Sequence, residues 1–331
     1  MTALSILDLA PVAKGQTARE SFQASVELAR TAERAGYKRV WYAEHHNMAS
    51  IASTATSVLI GYVAAHTESI RLGSGGVMLP NHSPLVIAEQ FGTLETLYPG
   101  RIDLGLGRAP GTDQQTMRAL RRNNTSADSF PQDVLELQGY LSGNSRVPGV
   151  QAVPVADRPV PLYILGSSLF GAQLAAQLGL PYAFASHFAP DALHEAAGLY
   201  HDTFKPSEHL AEPYLITAAN VFAADDHDTA VEQKTVAYRA RARMMIARGP
   251  SGTADFTDDQ IDAFLASPNG RHLSAMTRYT AAGTPDEVRA WLEDFAASTR
   301  SDEVIVTHQA PALPDRLHSV ELTAKAMSLS A

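Results

Sequence analysis

Residues 69–80 read Ser-Ile-Arg-Leu-Gly-Ser-Gly-Gly-Val-Met-Leu-Pro, and the first half of this stretch has the apolar character of a short buried strand. The second half is rich in glycine. Gly73, Gly75 and Gly76 weaken a strand interior, so they indicate a sharp bend or the close approach of another group. A flat ligand resting on bare main chain is one interpretation. A glycine-rich turn without a ligand is the other, and the glycines alone do not decide between them.

This strand is one of eight in a repeating pattern of strands and helices. The predicted strands cover residues 4–9, 39–43, 70–74, 102–106, 162–165, 182–185, 214–221 and 303–307. Regular alternation with helices favours a parallel sheet, and eight such units close naturally into a (β/α)8 TIM barrel. We therefore predict an α/β protein that forms one barrel domain over residues 1–331.

Two connections are too long for the plain repeat and are predicted as insertions after strands four and seven. Residues 108–160 follow strand four, and their last part is rich in proline. Residues 248–282 follow strand seven and are polar, with scattered glycines. Long connections in compact domains are often functional. We expect residues 248–282 to form a mobile cover over the site.

Composition excludes several classes of function. The 331 residues are 45% hydrophobic and 18% charged, with a formal net charge of −9, which disfavours a nucleic-acid surface. The chain has no cysteine, so cysteine nucleophiles, disulfides and thiolate metal sites are excluded. The first residues do not resemble a signal peptide. Residues 49–67 contain no Asp, Glu, Lys or Arg but are rich in Ser, Thr and Ala, which indicates a packed soluble helix instead of a membrane span. We expect a cytoplasmic protein with a small-molecule substrate.

In a barrel of this type the chemistry lies at the carboxyl ends of the strands, where loops converge on one rim. The polar and glycine residues predicted at this rim are Asp8, Glu44-His45-His46, Gly75-Gly76, Gly105 to Arg108, Gly166-Ser167-Ser168, His187 and His308. Their convergence is a stronger signal than any single motif. It predicts one site, and it places that site at the mouth of the barrel.

The adjacent histidines at this rim point to opposite sides of their strand. One of them is therefore expected to face the mouth, as a catalytic group or as a structural hydrogen-bonding partner. The chain shows no further ligands at zinc-site spacing, so no metal is expected. Gly166-Ser167-Ser168 leads into a helix, where backbone N–H groups and hydroxyls suit a phosphate. A plain serine N-cap is the alternative, and Arg108 on the neighbouring strand favours the phosphate.

Four stretches together resemble the bacterial luciferase-like flavin monooxygenases. They are residues 41–46 (Trp-Tyr-Ala-Glu-His-His), 74–80 (Ser-Gly-Gly-Val-Met-Leu-Pro), 98–108 (Tyr-Pro-Gly-Arg-Ile-Asp-Leu-Gly-Leu-Gly-Arg) and 166–168 (Gly-Ser-Ser). The resemblance implies that reduced FMN binds at the strand ends, with Arg108 and Ser168 at its phosphate and Ser167 beside them. It implies a bulge with a cis peptide at Gly75-Gly76 under the flavin ring. His45 matches the catalytic histidine.

The activity implied by this resemblance is oxygenation of a small organic substrate through a C4a-hydroperoxyflavin. A separate flavin reductase would supply the reduced FMN, and His45 would manage the proton of the peroxide. Ser167 stands where luciferase itself has a carboxylate, so the resemblance implies neither light emission nor a long-chain aldehyde substrate. The resemblance also implies a homodimer. The face predicted for it consists of Ala52, Ala55, Val58, Leu59 and Tyr62.

Two alternatives remain open at the level of the sequence. The same barrel could serve a deazaflavin-dependent oxidoreductase that transfers hydride instead of oxygen. It could also belong to a flavin-binding protein without turnover. Gly105-Leu106-Gly107 lacks the third glycine of a nicotinamide-binding fingerprint, so no nicotinamide cofactor is expected. No motif in the chain specifies the substrate.

Overall fold

The computed structural model describes residues 2–13, 15–109, 112–123, 125–247 and 256–330, and it contains a closed barrel of parallel strands surrounded by helices. The strands are β1 (Ala3–Asp8), β2 (Arg39–Tyr42), β3 (Arg71–Met78), β4 (Ile102–Gly107), β5 (Leu162–Gly166), β6 (Tyr182–Phe184), β7 (Leu215–Ala223), β8 (Thr280–Gly283) and β9 (Glu303–His308). The helices are α1 (Ala18–Arg34), α2 (Thr56–Ala64), α3 (Pro84–Leu97), α4 (Gln114–Ala119), α5 (Phe130–Leu141), α6 (Leu169–Leu178), α7 (Leu193–Thr203), α8 (His227–Ala247), α9 (Asp258–Ala266), α10 (Pro268–Met276), α11 (Pro285–Thr299) and α12 (Leu313–Ala326).

The eight barrel strands are β1 to β7 and β9, which confirms the predicted TIM barrel. Each of them pairs in parallel with its neighbour, and the ring closes where β9 joins β1 to β7 and β6 pairs with β7. Parallel pairing of this kind needs a long crossover between strands, which the helices provide. The closed ring leaves every barrel strand paired on both sides.

Strand β8 was not predicted. It pairs with the last part of β7, at Asn220 to Ala223, beyond the part of β7 that pairs with β6. Its sequence, Thr-Ala-Ala-Gly, has neither β-branched apolar residues nor clear alternation, so no periodic signal marks it. It extends the β6 side of the wall at the carboxyl end of β7.

The predicted cover is partly helical. Residues 248–255 lie outside the described part of the chain, whereas the residues from 256 onward form α9, α10 and β8. Thr257 and Gln260 form a capping box that begins α9, and Ser267 caps α10. Ile261 and Leu273 pack against Ala242 of α8 in a small buried cluster. These helices therefore pack onto the helix that follows β7.

The barrel interior is polar at its amino-terminal end. Arg39 of β2 is buried and lies 2.7 Å from Asp103 Oδ2 and 3.0 Å from Glu303 Oε1. The Tyr163 hydroxyl accepts another hydrogen bond from Arg39, at 2.7 Å. Buried charges of this kind are tolerated because they are paired. The network fills the end of the barrel opposite the predicted site.

Candidate active site

His45 follows β2 on the phase that points into the barrel. Trp41 and Ala43 belong to the apolar cluster inside the barrel, whereas Val40 and Tyr42 belong to the outer core under the helices. The same alternation places His45 inward, at the mouth. The charge of His45 contributes to a low pKa of His187, which follows β6. Both histidines therefore belong to the carboxyl end of the barrel, where the mouth lies.

Glu44 and His46 take part in a different arrangement beside the mouth. Glu44 is buried, and its Oε1 lies 2.7 Å from His46 Nε2 and 2.8 Å from His82 Nε2. The Met78 N–H donates to Glu44 Oε2 at 3.0 Å. Burial alone would raise the pKa of Glu44, but the hydrogen bonds from His46, His82 and Met78 lower it to about 2.

His82 joins this group from 38 residues away, and the sequence analysis missed it. Glu44, His46 and His82 could in principle surround a cation, since their ligand atoms lie within 4.8 Å of one another. The distances of 2.7 and 2.8 Å, however, are those of hydrogen bonds between imidazole and carboxylate. Glu44 thereby links the end of β2 to the backbone that follows the glycine pair.

The peptide bond between Gly75 and Gly76 is cis, as predicted, and the register of β3 against β4 shifts between Ser74 and Val77. A Cβ on Gly75 would lie 2.9 Å from Leu7 Cδ1 and 2.9 Å from Trp41 Cβ. A Cβ on Gly76 would lie 2.8 Å from the carbonyl oxygen of Gly105. The glycines are therefore required by close packing inside the barrel wall. Gly75 itself is half-buried, so its main chain reaches the mouth without a side chain over it.

Arg108 and Ser168 meet at the N-terminus of α6. Arg108 follows β4 and is exposed, with its guanidinium 4.0 Å from the centre of the Phe170 ring in the first turn of α6. Within the described ranges Arg108 has no carboxylate partner. Ser168 is the N-cap residue of α6, yet its side chain makes no capping hydrogen bond, and Ser167 beside it is exposed. An unengaged hydroxyl, a helix N-terminus and a cation are the components of a phosphate site, so these residues fit that group.

The opposite wall of the mouth is polar, and the side-chain amide of Asn220 in β7 is hydrogen-bonded at both its nitrogen and its oxygen. Asn220 Nδ2 donates to the carbonyl of His187 at 2.9 Å. Its Oδ1 accepts from Thr307 Oγ1 and from Gln309 Nε2, each at 2.8 Å. Burial and the neighbouring charges of Arg241 and His45 lower the pKa of His187 to about 3. His187 is therefore neutral near pH 7.

Two residues expected at the rim face away from the mouth. His308 ends β9 on the outward phase, where its Nδ1 lies 2.9 Å from Ser319 Oγ of α12. Asp8 accepts a hydrogen bond of 2.5 Å from Ser25 of α1. Both side chains are buried between the barrel and its helices. Both residues end their strands as predicted. Their side chains do not join the site, because one step along a strand moves a side chain to the other face.

Sequence comparison gives extensive similarity to one family. The model of the luciferase-like monooxygenase family matches residues 2–302. A luciferase-like monooxygenase of Escherichia coli (strain K12) is 51% identical over 321 residues, which cover 97% of this chain and 95% of the relative. A Bacillus subtilis (strain 168) protein named N-acetyl-S-alkylcysteine monooxygenase is 34% identical over 314 residues, 92% of each chain.

Solved structures share the same barrel. The structure of apo-MsnO8 has a TM-score of 0.88 and 36% identity, and the match covers 100% of this chain and 99% of that one. More distant matches include the oxygenating constituent of 3,6-diketocamphane monooxygenase from Pseudomonas putida in complex with FMN, with a TM-score of 0.74, 16% identity and coverage of 98% and 97%. The coenzyme F420-dependent tetrahydromethanopterin reductase of Methanopyrus kandleri has a TM-score of 0.72, 17% identity and coverage of 98% of both chains.

The two distant structures show the fold alone, and within that fold one neighbour binds FMN and the other depends on F420. The helices described here include none that is long and apolar enough to cross a membrane. The family match spans most of the barrel, and near relatives align over almost their whole length. The chain belongs to the luciferase-like monooxygenase family, and the protein is an oxidoreductase.

Proposed function

We propose that the protein is an FMN-dependent monooxygenase that receives reduced FMN from a separate flavin reductase and oxygenates a small organic substrate with O2. The observation that carries this proposal is the pairing of Arg108 with the N-terminus of α6, where the Ser168 hydroxyl makes no capping bond. Reduced FMN would supply two electrons, so that one oxygen atom of O2 enters the substrate and the other leaves as water.

The phosphate group would be held by three features of this chain. The Arg108 guanidinium supplies a planar fork of donors that matches phosphate oxygens, and Phe170 fixes its position. Ser168 and Ser167 supply hydroxyls at the start of α6. The backbone N–H groups in the first turn of α6 point outward and favour an anion there.

The flavin ring would lie against the main chain of Gly75 and Gly76. No side chain of the pair covers this backbone, since both missing Cβ atoms would point into the barrel wall. Glu44 holds the segment from behind through the Met78 N–H. The glycine pair is thus supported on one side by packing and at its end by a buried hydrogen bond.

His45 is proposed as the catalytic residue that holds or transfers a proton at the reacting centre. It lies on the inward phase of the chain after β2, at the same mouth as the glycine pair. Imidazole is the side chain whose ordinary pKa lies near neutrality, which suits proton transfer in either direction. The neutral ring of His187 lies nearby and adds no positive charge.

Further parts of the proposal concern cover, assembly and location. We propose that the predicted cover, residues 248–282, excludes water from the mouth through α9 and α10; residues 248–255 lie outside the described part of the chain. The protein is proposed to act as a homodimer through the exposed face of α2. We also place it in the cytoplasm, where a reductase partner can deliver reduced FMN.

Reconstitution and oxygen uptake test the proposed function. Purified protein is titrated with FMN and, in parallel, with F420, and oxygen consumption is then measured with reduced FMN and candidate substrates. N-acetyl-S-methylcysteine is the first candidate, because a 34% identical relative is named for that class of compound. We expect FMN binding and oxygen uptake that yields an oxygenated product. Turnover with reduced F420 instead would identify a hydride-transfer enzyme, and FMN binding without turnover on any substrate would identify a binding protein.

A further inference from the structure

Helix α8 carries Arg239, Arg241 and Arg243, each two residues from the next. The first and the last of these form ion pairs with α9. Arg239 pairs with Asp258 and Asp262, and Arg243 lies 2.7 Å from Asp258. On an α-helix of 3.6 residues per turn, positions two apart lie on nearly opposite sides. Arg241 therefore points away from α9, on the other face of α8.

Tyr238 shows what that face contacts. It precedes Arg241 by three residues and so lies on the same side of α8. Its hydroxyl lies 3.2 Å from the carbonyl of Thr277 and 3.2 Å from Thr280 Oγ1 at the start of β8. Thr280 Oγ1 in turn accepts from Asn220 Nδ2 at 3.3 Å, and Asn220 also bonds the carbonyl of His187. The face that carries Arg241 is thus tied to the ends of β6 and β7 at the mouth.

Among the described residues, no counter-ion neutralises the charge of Arg241 there. Burial lowers the pKa of this guanidinium, and its charge helps to lower the pKa of His187. No carboxylate in the described ranges pairs with Arg241, in contrast to Arg239 and Arg243 on the same helix. His187 is neutral, and its buried Nδ1 has no hydrogen-bond partner among the described residues. A partly desolvated cation without a counter-ion is costly, so this position favours an anion.

The FMN phosphate does not account for this position. The phosphate cradle lies at the ends of β4 and β5, around Arg108 and Ser168. The face of α8 that carries Arg241 is instead linked, through Tyr238, Thr280 and Asn220, to β7 and to the carbonyl of His187 after β6. His45, the proposed catalytic group, follows β2 on the inward phase set by Trp41 and Ala43 and therefore faces the same mouth. An anion at Arg241 would therefore belong to a molecule whose other end reaches His45.

Resting on the proposed function, we propose that Arg241 of α8 binds the carboxylate of the substrate beside His187 and thereby selects organic acids for oxygenation. The guanidinium fork matches both oxygens of a carboxylate. With the acid group held at the ends of β6 and β7, the remainder of the substrate extends toward His45 and the glycine pair. A neutral analogue of the same shape leaves the cation unpaired and binds more weakly.

Binding of matched acids and amides tests this assignment. The probes are N-acetyl-S-methylcysteine, its S-benzyl analogue and the carboxamide of each. Each probe is titrated calorimetrically into protein that contains oxidised FMN. The variants are R241Q and, as a matched control on the opposite face of α8, R243Q. We expect the wild-type protein and R243Q to prefer the acids by about ten- to a hundredfold, and R241Q to lose that preference while its affinity for the amides is unchanged.

Other outcomes overturn the proposal. Equal affinity of the wild-type protein for acid and amide, or no binding of any probe, shows that the mouth does not select a carboxylate. Retained acid preference in R241Q assigns the selection to another residue. FMN affinity is measured in the same variants: if R241Q loses FMN affinity and keeps its acid preference, Arg241 serves the flavin instead. Failure of the proposed function appears separately, as absence of FMN binding or oxygen uptake in the wild-type protein.

Discussion

At the scale of single residues, Arg108 is the clearest test of the flavin assignment, because Phe170 holds its charge at the N-terminus of α6 without a protein counter-ion in the described ranges. Removing a charge-assisted contact costs roughly 1.5–3 kcal/mol. Arg108→Ala should therefore weaken FMN binding about ten- to a hundredfold, as measured by equilibrium titration. Arg289→Ala removes an exposed arginine from α11 and serves as the control. FMN affinity equal to that of the wild type in Arg108→Ala contradicts the assignment.

His308 gives a prediction about stability at acidic pH. Burial, with a smaller contribution from the charge of Arg316, lowers the pKa of His308 to about 3, so the folded state stays unprotonated where the unfolded state takes up a proton. Stability that is present above about pH 6.5 is therefore lost as the pH falls toward 3, at about 1.4 kcal/mol per pH unit for this group. His308→Gln should flatten the fall in unfolding free energy between pH 6 and pH 4.5 by about that slope, measured by urea denaturation.

A matched control separates the charge of His308 from its hydrogen bond. Ser319→Ala removes the partner of His308 Nδ1 but leaves the imidazole buried. This variant should lose stability at every pH and keep the slope of the wild type. The low pKa of His187 contributes a similar slope, so part of the pH dependence remains in His308→Gln. A slope in His308→Gln identical to that of the wild type excludes the titration of His308 as its cause.

At the scale of elements, β3 is held at both ends by a carboxylate. Glu33 of α1 accepts from the backbone N–H groups of Glu68, Ser69 and Ile70 before the strand, and Glu44 accepts from the Met78 N–H at its end. Burial alone would raise the pKa of both glutamates. The backbone hydrogen bonds lower the pKa of Glu33, and those from His46, His82 and Met78 lower that of Glu44. The two carboxylates bind different ends of β3, and only the Glu44 contact, at Met78, adjoins the glycine pair.

This difference yields a paired prediction. Glu44→Gln cannot accept all three hydrogen bonds of the carboxylate and should lose about 1–3 kcal/mol of unfolding free energy. It should also weaken FMN binding about tenfold, equivalent to about 1.4 kcal/mol, because the end of the β3 bulge shifts. Glu33→Gln should lose stability and keep its FMN affinity. Denaturant titration and flavin titration of both variants measure the two effects. A loss of FMN affinity shared equally by both variants would show that Glu44 acts through global stability alone.

Elements with strong periodicity were predictable from the sequence, and those defined by tertiary contacts were not. The eight barrel strands follow from apolar runs that alternate with amphipathic helices, and the structure confirms them. β8 has four residues and exists because the end of β7 offers it a partner. α9 has a capping box at Thr257 and Gln260 that the sequence analysis did not use. His82 could not be placed beside Glu44, since no local pattern links positions 38 residues apart.

At the scale of the whole molecule, the two ends of the barrel differ in their electrostatics. The amino-terminal end is filled by charges that neutralise one another, with Arg39 between Asp103 and Glu303. At the mouth, Arg108 and Arg241 have no carboxylate partners within the part of the chain that is described. Positive charge is thus left unpaired where phosphate and substrate are proposed to bind. The formal net charge of the chain is −9, so the positive charge at the mouth is opposite in sign to the net charge of the protein.

The outer surface carries an apolar patch on α2 and α3 that predicts self-association. Val58 and Tyr62 of α2 are 72% and 41% exposed, and Val86 and Leu97 of α3 are 44% and 63% exposed. Ser57 of α2 bonds Gln90 of α3 at 2.9 Å, so the exposed faces of the two helices are adjacent.

The composition of the patch differs from the sequence prediction. Ala52 is half-buried and packs against the core of its own chain, and Val86 and Leu97 of α3 were not predicted. Leu59 was expected at the dimer face, but it is 5% exposed and packs in the core of its own chain. Ala55 is exposed beside Val58, and its small side chain allows close approach of a second helix. Adjacent exposed apolar side chains on two helices are typical of an interface with another protein. A second copy of the chain, related by a two-fold axis, would bury the patch on both molecules at once.

We therefore expect a homodimer that a charge at the centre of the patch disrupts. Val58→Asp would bury an unpaired carboxylate on each side of a two-fold interface, which is strongly unfavourable. Light scattering at micromolar concentration should give the mass of a dimer for the wild-type chain and of a monomer for Val58→Asp. Val236→Asp, which changes a 45% exposed valine on α8, should remain dimeric. A monomeric wild-type protein, or a Val58→Asp variant that is still dimeric, excludes this face as the interface.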